Sequence, residues 1–365
     1  MDTFGTNLRV TLFGESHGPY IGATLDGLAP GLHIDEDYIR RKLSLRRPVG
    51  KISTGRVEED RFSIISGIYQ GKTTGTPLTI LIPNENVKSA DYERIFRPGH
   101  ADYTGYCKYH GFEDYRGGGH FSGRITAALV AAGAIAEFAL EQKGIRIGTH
   151  ILDLCGIKDR HFTEDPAELT KDIQYINEQE FAVFSPDVQN EMIARIEEAA
   201  KEGDSVGGIL ESAVTGLPAG VGEPWFDSVE SKLSQILFAI PAVKGVQFGL
   251  GFDGVNVSGK DYNDAFAKHD GTVITKTNHN GGINGGITNG MPILFSCAVK
   301  PTPSIFTEQE SVDPFTGENT TIRIKGRHDP AIIHRARIVV DCAASLALYD
   351  LLSYRFGTDY FMNES

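Results

Sequence analysis

Histidines, arginines, two aspartates and one lysine stand in six short motifs along the chain, five of which contain glycine. These motifs are residues 14–18 (GESHG), 97–102 (RPGHAD), 116–124 (RGGGHFSGR), 278–282 (NHNGG), 300–304 (KPTPS) and 326–330 (GRHDP). Glycine allows a backbone to approach a ligand closely, histidine transfers protons near neutral pH, and arginine binds phosphate and carboxylate groups. The sequence therefore predicts one composite site for an anionic ligand.

His17 and His100 are the candidate proton-transfer residues, because each lies in a glycine-bounded loop beside polar or cationic groups. A histidine considered alone is more often structural than catalytic. Several cations could hold a phosphate and carboxylates together, since guanidinium groups bind both through paired hydrogen bonds. They are Arg46, Lys51, Arg97, Arg124 and Arg327. For the basic run 40–51, a solvated helix face is the alternative interpretation.

Three glycines at 117–119 precede the alanine-rich apolar segment 125–140, which is typical of a helix. Exposed N–H groups and the positive dipole end favour anion binding at such a helix start, although an ordinary tight turn is the alternative. Residues 249–254 match G-x-G-x-x-G. The residues that follow predict strand and turn rather than a helix, which argues against a Rossmann site.

These motifs must be positioned by a layered α+β fold, since strands do not alternate regularly with helices. Strands are predicted near 7–13, 20–26, 62–68, 78–82, 146–151, 207–215, 244–250 and 291–299. Helices are predicted near 36–46, 124–141, 166–177, 187–202, 228–239 and 331–354. Because no linker divides the chain, we expect residues 1–365 to form one domain.

Composition predicts an ordered globular protein that does not bind nucleic acid or an anionic membrane, because the formal net charge is −13. The four cysteines lack the short spacing of metal sites, so we expect buried free thiols at Cys107, Cys155, Cys297 and Cys342 and no bound metal. The N-terminus shows no signal-peptide pattern, and no segment approaches the length of a membrane span. A cytoplasmic protein is the resulting expectation.

Taken in order, the motifs resemble those of the chorismate synthase family over nearly the whole chain. The block 14–18 followed by 26–31 (DGLAPG) resembles the first signature of that family. The resemblance implies a β-α-β sandwich of mostly antiparallel sheets around helices. It also implies conversion of 5-enolpyruvylshikimate 3-phosphate to chorismate and phosphate, a 1,4-elimination that requires reduced FMN without net redox change.

The resemblance implies roles for three residues: His17 protonates the leaving phosphate, His100 protonates the flavin near N1, and Asp329 removes a proton through flavin N5. Asp329 followed by Pro330 also has the pattern of a helix N-cap, so capping is the alternative. Matching positions imply flavin contacts at His120, Phe121, Ser122, Pro241, Ala242, Gly285, Lys300, Pro301, Thr302, Pro303, Ser304 and Arg327.

Two departures from the family pattern concern this site. Residues 120–124 read His-Phe-Ser-Gly-Arg where the family pattern is Arg-Ser-Ser-Ala-Arg, and Pro241 stands where asparagine is common. Arg97 and Arg124 are expected to face the substrate, and Arg46 and Lys51 match positions of pyridine-nucleotide contact.

The resemblance suggests a homotetramer, leaves NADPH as a candidate reductant and allows for a separate flavin reductase. Two other functions stay open on the residues alone. They are a flavin oxidoreductase with net hydride transfer and a non-catalytic phosphate-binding protein.

Overall fold

The computed structural model describes residues 2–47, 52–53, 59–85, 94–324 and 329–362. The helices are α1 Glu36–Leu45, α2 Asp102–Tyr109, α3 Thr126–Gln142, α4 Pro166–Glu178, α5 Pro186–Glu202, α6 Val229–Leu237, α7 Gly259–Tyr262 and α8 Ile333–Phe356. The strands are β1 Thr3–Phe4, β2 Arg9–Gly14, β3 Tyr20–Asp26, β4 Ser63–Ser66, β5 Ile68–Tyr69, β6 Lys72–Thr73, β7 Leu78–Pro83, β8 Arg146–Leu154, β9 Ile157–Lys158, β10 Gly208–Thr215, β11 Val243–Phe248, β12 Phe266–His269, β13 Thr272–Thr275, β14 Ile283–Asn284, β15 Ile287–Thr288, β16 Ile293–Val299, β17 Gln309–Val312 and β18 Asn319–Ile322.

Two five-stranded antiparallel sheets enclose the central helices. Sheet 1 has the strand order β1-β2-β3-β7-β4, and sheet 2 has the order β11-β16-β10-β8-β9. In β7, Leu78, Ile80 and Ile82 are buried and alternate with less buried residues. This period of two gives sheet 1 an apolar face, which packs on α3.

Helices α3 and α8 pack against each other at the centre of the molecule, with α3 against sheet 1 and α8 against sheet 2. Their close approach depends on Gly133, where a Cβ would lie 2.5 Å from the Cβ of Cys342. Helix α1 packs on α3, α6 packs on α8, and α4 packs on β8 and β10. The predicted layered α+β fold is confirmed, and one core cluster extends from Leu8 to Phe361.

Each predicted strand and helix is present, with ends that differ by at most three residues. Two other expectations were wrong. Cys107 and Cys155 are exposed, whereas Cys297 and Cys342 are buried; all four thiols are free. The segment Gly123–Gln142, which contains α3, is long and apolar enough to span a membrane, with 20 residues and a mean hydropathy of 1.5. It is the core helix of this fold, and 89% of its apolar window is buried inside the protein.

Candidate functional site

A cavity of about 860 Å³ lies where α2, the glycine run 117–119, α6 and the segment after β16 meet. One wall is apolar and includes Phe4, Leu12 and Ile240. The rest is lined by many of the predicted site residues, namely Arg97, His100, His120, Phe121, Ser122, Pro241, Ala242, Lys300, Thr302, Pro303 and Ser304. A largely apolar concavity with a few convergent polar groups is typical of a cofactor site.

The glycine run has a left-handed backbone, with φ of 58° at Gly117, 85° at Gly118 and 53° at Gly119. A Cβ at Gly117 would lie 2.2 Å from Cε1 of His17, so the imidazole packs directly on this glycine. His17 is buried, and its Nδ1 lies 3.2 Å from the hydroxyl of Ser16. His17 thus lies behind Gly117, which itself lines the cavity.

His100 lines the cavity with both ring nitrogens hydrogen-bonded. Nδ1 lies 3.0 Å from the carbonyl oxygen of Pro98, and Nε2 lies 2.7 Å from the hydroxyl of Ser304. Because a carbonyl can only accept, Nδ1 carries the proton and Nε2 of the neutral ring accepts from Ser304. Burial and the positive charge of Arg97 lower the pKa of His100 to about 4.

The segment after β16 is anchored to the loop that carries His100. The Lys300 ammonium donates to the carbonyl of Gly99 at 2.7 Å, and the Lys300 N–H donates to the carbonyl of Ala242 at 2.9 Å. Ala242 adopts a left-handed φ of 75°, which brings the turn after α6 beside this segment. The Thr302 hydroxyl lines the cavity and is buried without a hydrogen-bond partner among the described residues. Such a group is costly unless a ligand or water satisfies it.

His120, Phe121 and Ser122 follow the glycine run. His120 donates from Nδ1 to the carbonyl of Gly14 at 2.7 Å, and its Nε2 lies 3.5 Å from a carboxylate oxygen of Asp2. Phe121 is partly exposed beside Tyr109, and Ser122 accepts from the N–H of Arg124 at 3.3 Å. Sequence reasoning missed Asp2, because nothing in the pattern of residues 2–4 indicates that this edge strand lines the cavity.

Arg46 and Arg124 meet at a shared carboxylate, Asp60. The Arg124 guanidinium pairs with one oxygen of Asp60, and the Arg46 guanidinium lies 3.3 Å from the other. Arg46 also donates to Thr126 Oγ1 at 2.9 Å and to the carbonyl of Gly123 at 3.0 Å, and both of these residues line the cavity. The end of α1 and the start of α3 therefore bring the two arginines together at Asp60.

Arg97 is held by Asp102, the carboxylate of its own motif, at 2.7 and 2.8 Å. Asp102 could have been identified from the sequence, because it lies five residues after Arg97 at the start of α2. Asp60 could not, because it lies 14 residues from Arg46 and 64 from Arg124 without a motif around it.

Asp329 is paired with Arg335, whose Nη1 lies 2.5 Å from the Asp329 carboxylate. The alternative of a helix cap at Asp329 was wrong. Helix α8 begins at Ile333, and its N-cap is Ile332, which makes no side-chain capping bond. Arg335 also donates to the carbonyl of Arg46 at 2.8 Å, which ties Asp329 to the arginine pair.

Eight predicted residues are not among those that line the cavity. Four of them contact residues described above, namely His17, Arg46, Arg124 and Asp329. Lys51 and Arg327 lie outside the described residues. Pro301 and Gly285 are not among the described residues that line the cavity. Gly285 occupies the turn of the β14–β15 ribbon with a φ of 61°.

Comparison with known proteins gives a consistent family assignment. A sequence model described as chorismate synthase matches residues 8–352. Curated chorismate synthases of Korarchaeum cryptofilum and Dehalococcoides mccartyi are 43% and 44% identical over 355 and 356 residues, covering 96% of both chains in each case. A crystal structure of a chorismate synthase, 28% identical, superposes with a TM-score of 0.77 and covers 97% of this chain and 94% of that one.

Proposed function

Because the chain belongs to the chorismate synthase family, we propose that it converts 5-enolpyruvylshikimate 3-phosphate to chorismate and phosphate with reduced FMN as its cofactor. Family membership makes it a carbon–oxygen lyase acting on phosphate, with a role in the shikimate pathway. The cofactor, the residue roles and the assembly are the proposed part. The observation that carries the cofactor and the residue roles is one cavity lined by His100, Gly117, Gly118, residues 120–122 and residues 302–304.

The residues of this cavity fit a flavin mononucleotide. The buried Thr302 hydroxyl without a partner, the Ser304 hydroxyl and the Lys300 ammonium are suited to phosphate oxygens. The left-handed glycines expose backbone to a planar ring, and the wall formed by Phe4, Leu12 and Ile240 suits its apolar end. When bound, the reduced flavin supplies electron density for the elimination.

The reaction breaks the carbon–oxygen bond to phosphate and removes one hydrogen from the ring, so the substrate gains a double bond without net redox change. We assign His17 to protonation of the departing phosphate and Asp329 to acceptance of the proton that leaves the ring system. His100 transfers a proton through Nε2, the nitrogen that faces Ser304. Acid–base groups of this kind contribute about 10²–10⁴-fold to a rate.

Arg46, Arg97 and Arg124 supply the positive charge that an acidic protein needs to hold a polyanionic substrate. The carboxylates of Asp60 and Asp102 hold these guanidinium groups in fixed positions. The Arg97 guanidinium bonds Asp102 through Nε and Nη2, and we propose that its Nη1 group binds phosphate. Lys51 and Arg327 are proposed to add to this charge.

We further propose a cytoplasmic homotetramer, with NADPH or a separate flavin reductase supplying the reduced cofactor. Free thiols at all four cysteines are typical of a reducing compartment. Large exposed apolar side chains at Trp225, Phe226 and Phe252 are available for contact between subunits.

An anaerobic phosphate-release assay with dithionite-reduced FMN tests the proposal. We expect many substrate equivalents to be converted per FMN, because the cofactor is not consumed. One equivalent converted per FMN would indicate a hydride-transfer oxidoreductase instead. Phosphate binding without turnover or flavin binding would indicate a binding protein.

Asp329→Asn tests the proton acceptor, because an amide keeps the shape of the side chain but cannot accept a proton as a carboxylate does. We expect FMN and substrate binding to persist while turnover falls at least about 10²-fold. The matched control is Asp270→Asn, an exposed hairpin carboxylate, which should leave turnover unchanged. Near-normal turnover of Asp329→Asn would leave the proton acceptor unidentified.

A further inference from the structure

Arg335 occupies an unfavourable position for a cation. It lies in the first turn of α8, where the positive end of the helix dipole favours carboxylates, and that turn contains no acidic residue. His334 precedes it, and burial together with the charges of Arg335 and Arg337 lowers the pKa of His334 to about 3. Departures from local preference are expected at functional positions, where another requirement outweighs the local cost.

Two hydrogen bonds of Arg335 show what that requirement is. Nη1 contacts the carboxylate of Asp329 at 2.5 Å, and Nε donates to the carbonyl of Arg46 at 2.8 Å. Both side chains of the ion pair are largely buried, with exposed fractions of 19% and 12%. One planar guanidinium therefore fixes the Asp329 carboxylate relative to the end of α1.

The end of α1 is itself fixed to the cavity wall. The Arg46 side chain bonds Thr126 and Gly123 at the start of α3 and shares Asp60 with Arg124. A series of directed contacts thus runs from Asp329 through Arg335 and Arg46 to the predicted anion-binding arginines.

We propose that Arg335 is a positioning residue, which holds the Asp329 carboxylate in the place where it accepts the proton. This inference rests on the proposed function of Asp329. Arg335 does not touch substrate or cofactor in this role, and it acts through Asp329. Only a guanidinium offers two donors in fixed directions, so the ammonium of lysine cannot hold both Asp329 and the Arg46 carbonyl.

The test combines Arg335→Ala and Arg335→Lys with Asp329→Asn. We expect each Arg335 variant to lose roughly 10–100-fold in kcat, as a displacement of about 1 Å can do, with KM and FMN affinity changed less than about threefold. Added guanidinium ion should restore part of the activity of Arg335→Ala, whereas ammonium ion should not. Arg355→Ala, at the exposed other end of α8, is the matched control and should keep full activity.

A residue that acts through Asp329 has no effect once Asp329 is disabled, so Arg335→Ala should change kcat less than about twofold in the Asp329→Asn background. Multiplying losses, or a raised KM with unchanged kcat, would overturn the proposal. Crystal structures of the wild type and Arg335→Ala give a readout independent of turnover. If the Asp329 carboxylate stays in place in Arg335→Ala, the proposal is overturned. This readout applies even if the wild type proves inactive and the proposed reaction is disproved.

Discussion

At the scale of single residues, His100 shows how the cavity controls protonation. Its pKa of about 4 arises from burial and from the charges of Arg97 and Lys300, which outweigh the bond to Pro98 and the charge of Asp102. A lowered pKa means that the ring is neutral at pH 7 in the ligand-free protein. A bound dianion reverses this effect, because a nearby negative charge favours the protonated ring.

We therefore predict that ¹⁵N NMR of the ligand-free protein gives a His100 titration midpoint near pH 4. Oxidised FMN together with inorganic phosphate should move this midpoint upward, toward neutral pH. His100→Gln identifies the resonance, since that variant lacks it. A ligand-free midpoint at or above pH 6.5 would contradict the lowering of the His100 pKa by burial and the charge of Arg97.

At the scale of elements, Asp60 links the end of α1 to the start of α3. The substitution Asp60→Asn tests this link. Asparagine keeps the side-chain shape and tolerates the left-handed backbone at φ 48°, but it removes the negative charge that the two arginines share. Removing one partner of a buried ion pair typically costs 3–5 kcal/mol, so we expect about 3 kcal/mol less stability in urea unfolding.

The matched control for Asp60 is Asp26→Asn. Asp26 pairs with Arg9 at 2.6 Å on the surface, with 41% of its side chain exposed. Exposed pairs of this kind contribute below about 1 kcal/mol. Equal losses of stability in both variants would show that the Asp60 carboxylate does not neutralise the positive charges of Arg46 and Arg124.

Regular elements were predictable from composition or alternation. Helix α3 is alanine-rich and apolar over its whole length, and β7 alternates buried with less buried residues. Helix α2 was missed because its eight residues contain Asp, Thr, Gly and Lys, and only Gly105 is buried. Two-residue strands such as β14 and β15 carry too little sequence pattern to be identified. Their pairing depends on packing elsewhere in the chain.

Residues of the candidate site were predictable where they lie within a recognisable sequence motif. His100 and Ser304 are 204 residues apart, yet each belongs to a motif, so both were identified. The basic run 40–51 was harder to interpret, because one helix directs its cations to different places. Lys42 is buried against Glu137 at 2.5 Å, Arg40 pairs with Glu36 on the surface, and Arg46 alone of these three pairs with Asp60.

At the scale of the whole molecule, a charge cluster that is buried except at His161 joins sheet 2 to the layer that carries α4. His150 on β8 and Glu211 on β10 are paired across the sheet, with Nε2 2.9 Å from the carboxylate. His161, from the segment before α4, bonds the other carboxylate oxygen at 2.6 Å, and Asp159 lies 3.8 Å from His150.

Each group in this cluster has a shifted pKa. Burial opposes the charge on Glu211, but hydrogen bonds from the two histidines and the charge of His150 outweigh burial and lower the Glu211 pKa to about 2. Burial also opposes the charge on His150, and its contacts with Asp159 and Glu211 raise its pKa nevertheless. The hydrogen bond to Glu211 raises the pKa of His161.

The pH dependence of stability follows from the signs of these shifts. A carboxyl with a lowered pKa stabilises the fold above its unfolded value near 4.5, and this contribution is lost as pH falls toward 2. Histidines with raised pKa values stabilise the fold below about 6.5, and this contribution is lost as pH rises through their folded values. The cluster therefore contributes most between about pH 4.5 and 6.5.

Glu211→Gln should consequently cost about 3 kcal/mol in urea unfolding at pH 5.5, the scale for breaking a buried pair. At pH 9 the loss should shrink by at least about 1 kcal/mol, because neutral histidines no longer need a counter-charge. Glu168→Gln is the control in the same layer, since Glu168 pairs with Lys171 in solvent and should cost below about 1 kcal/mol at both pH values. If Glu211→Gln loses as much or more free energy of unfolding at pH 9 as at pH 5.5, the histidines are not charged in the folded protein. Packing around Phe162 and Phe184, rather than charge, would then hold the outer layer to sheet 2.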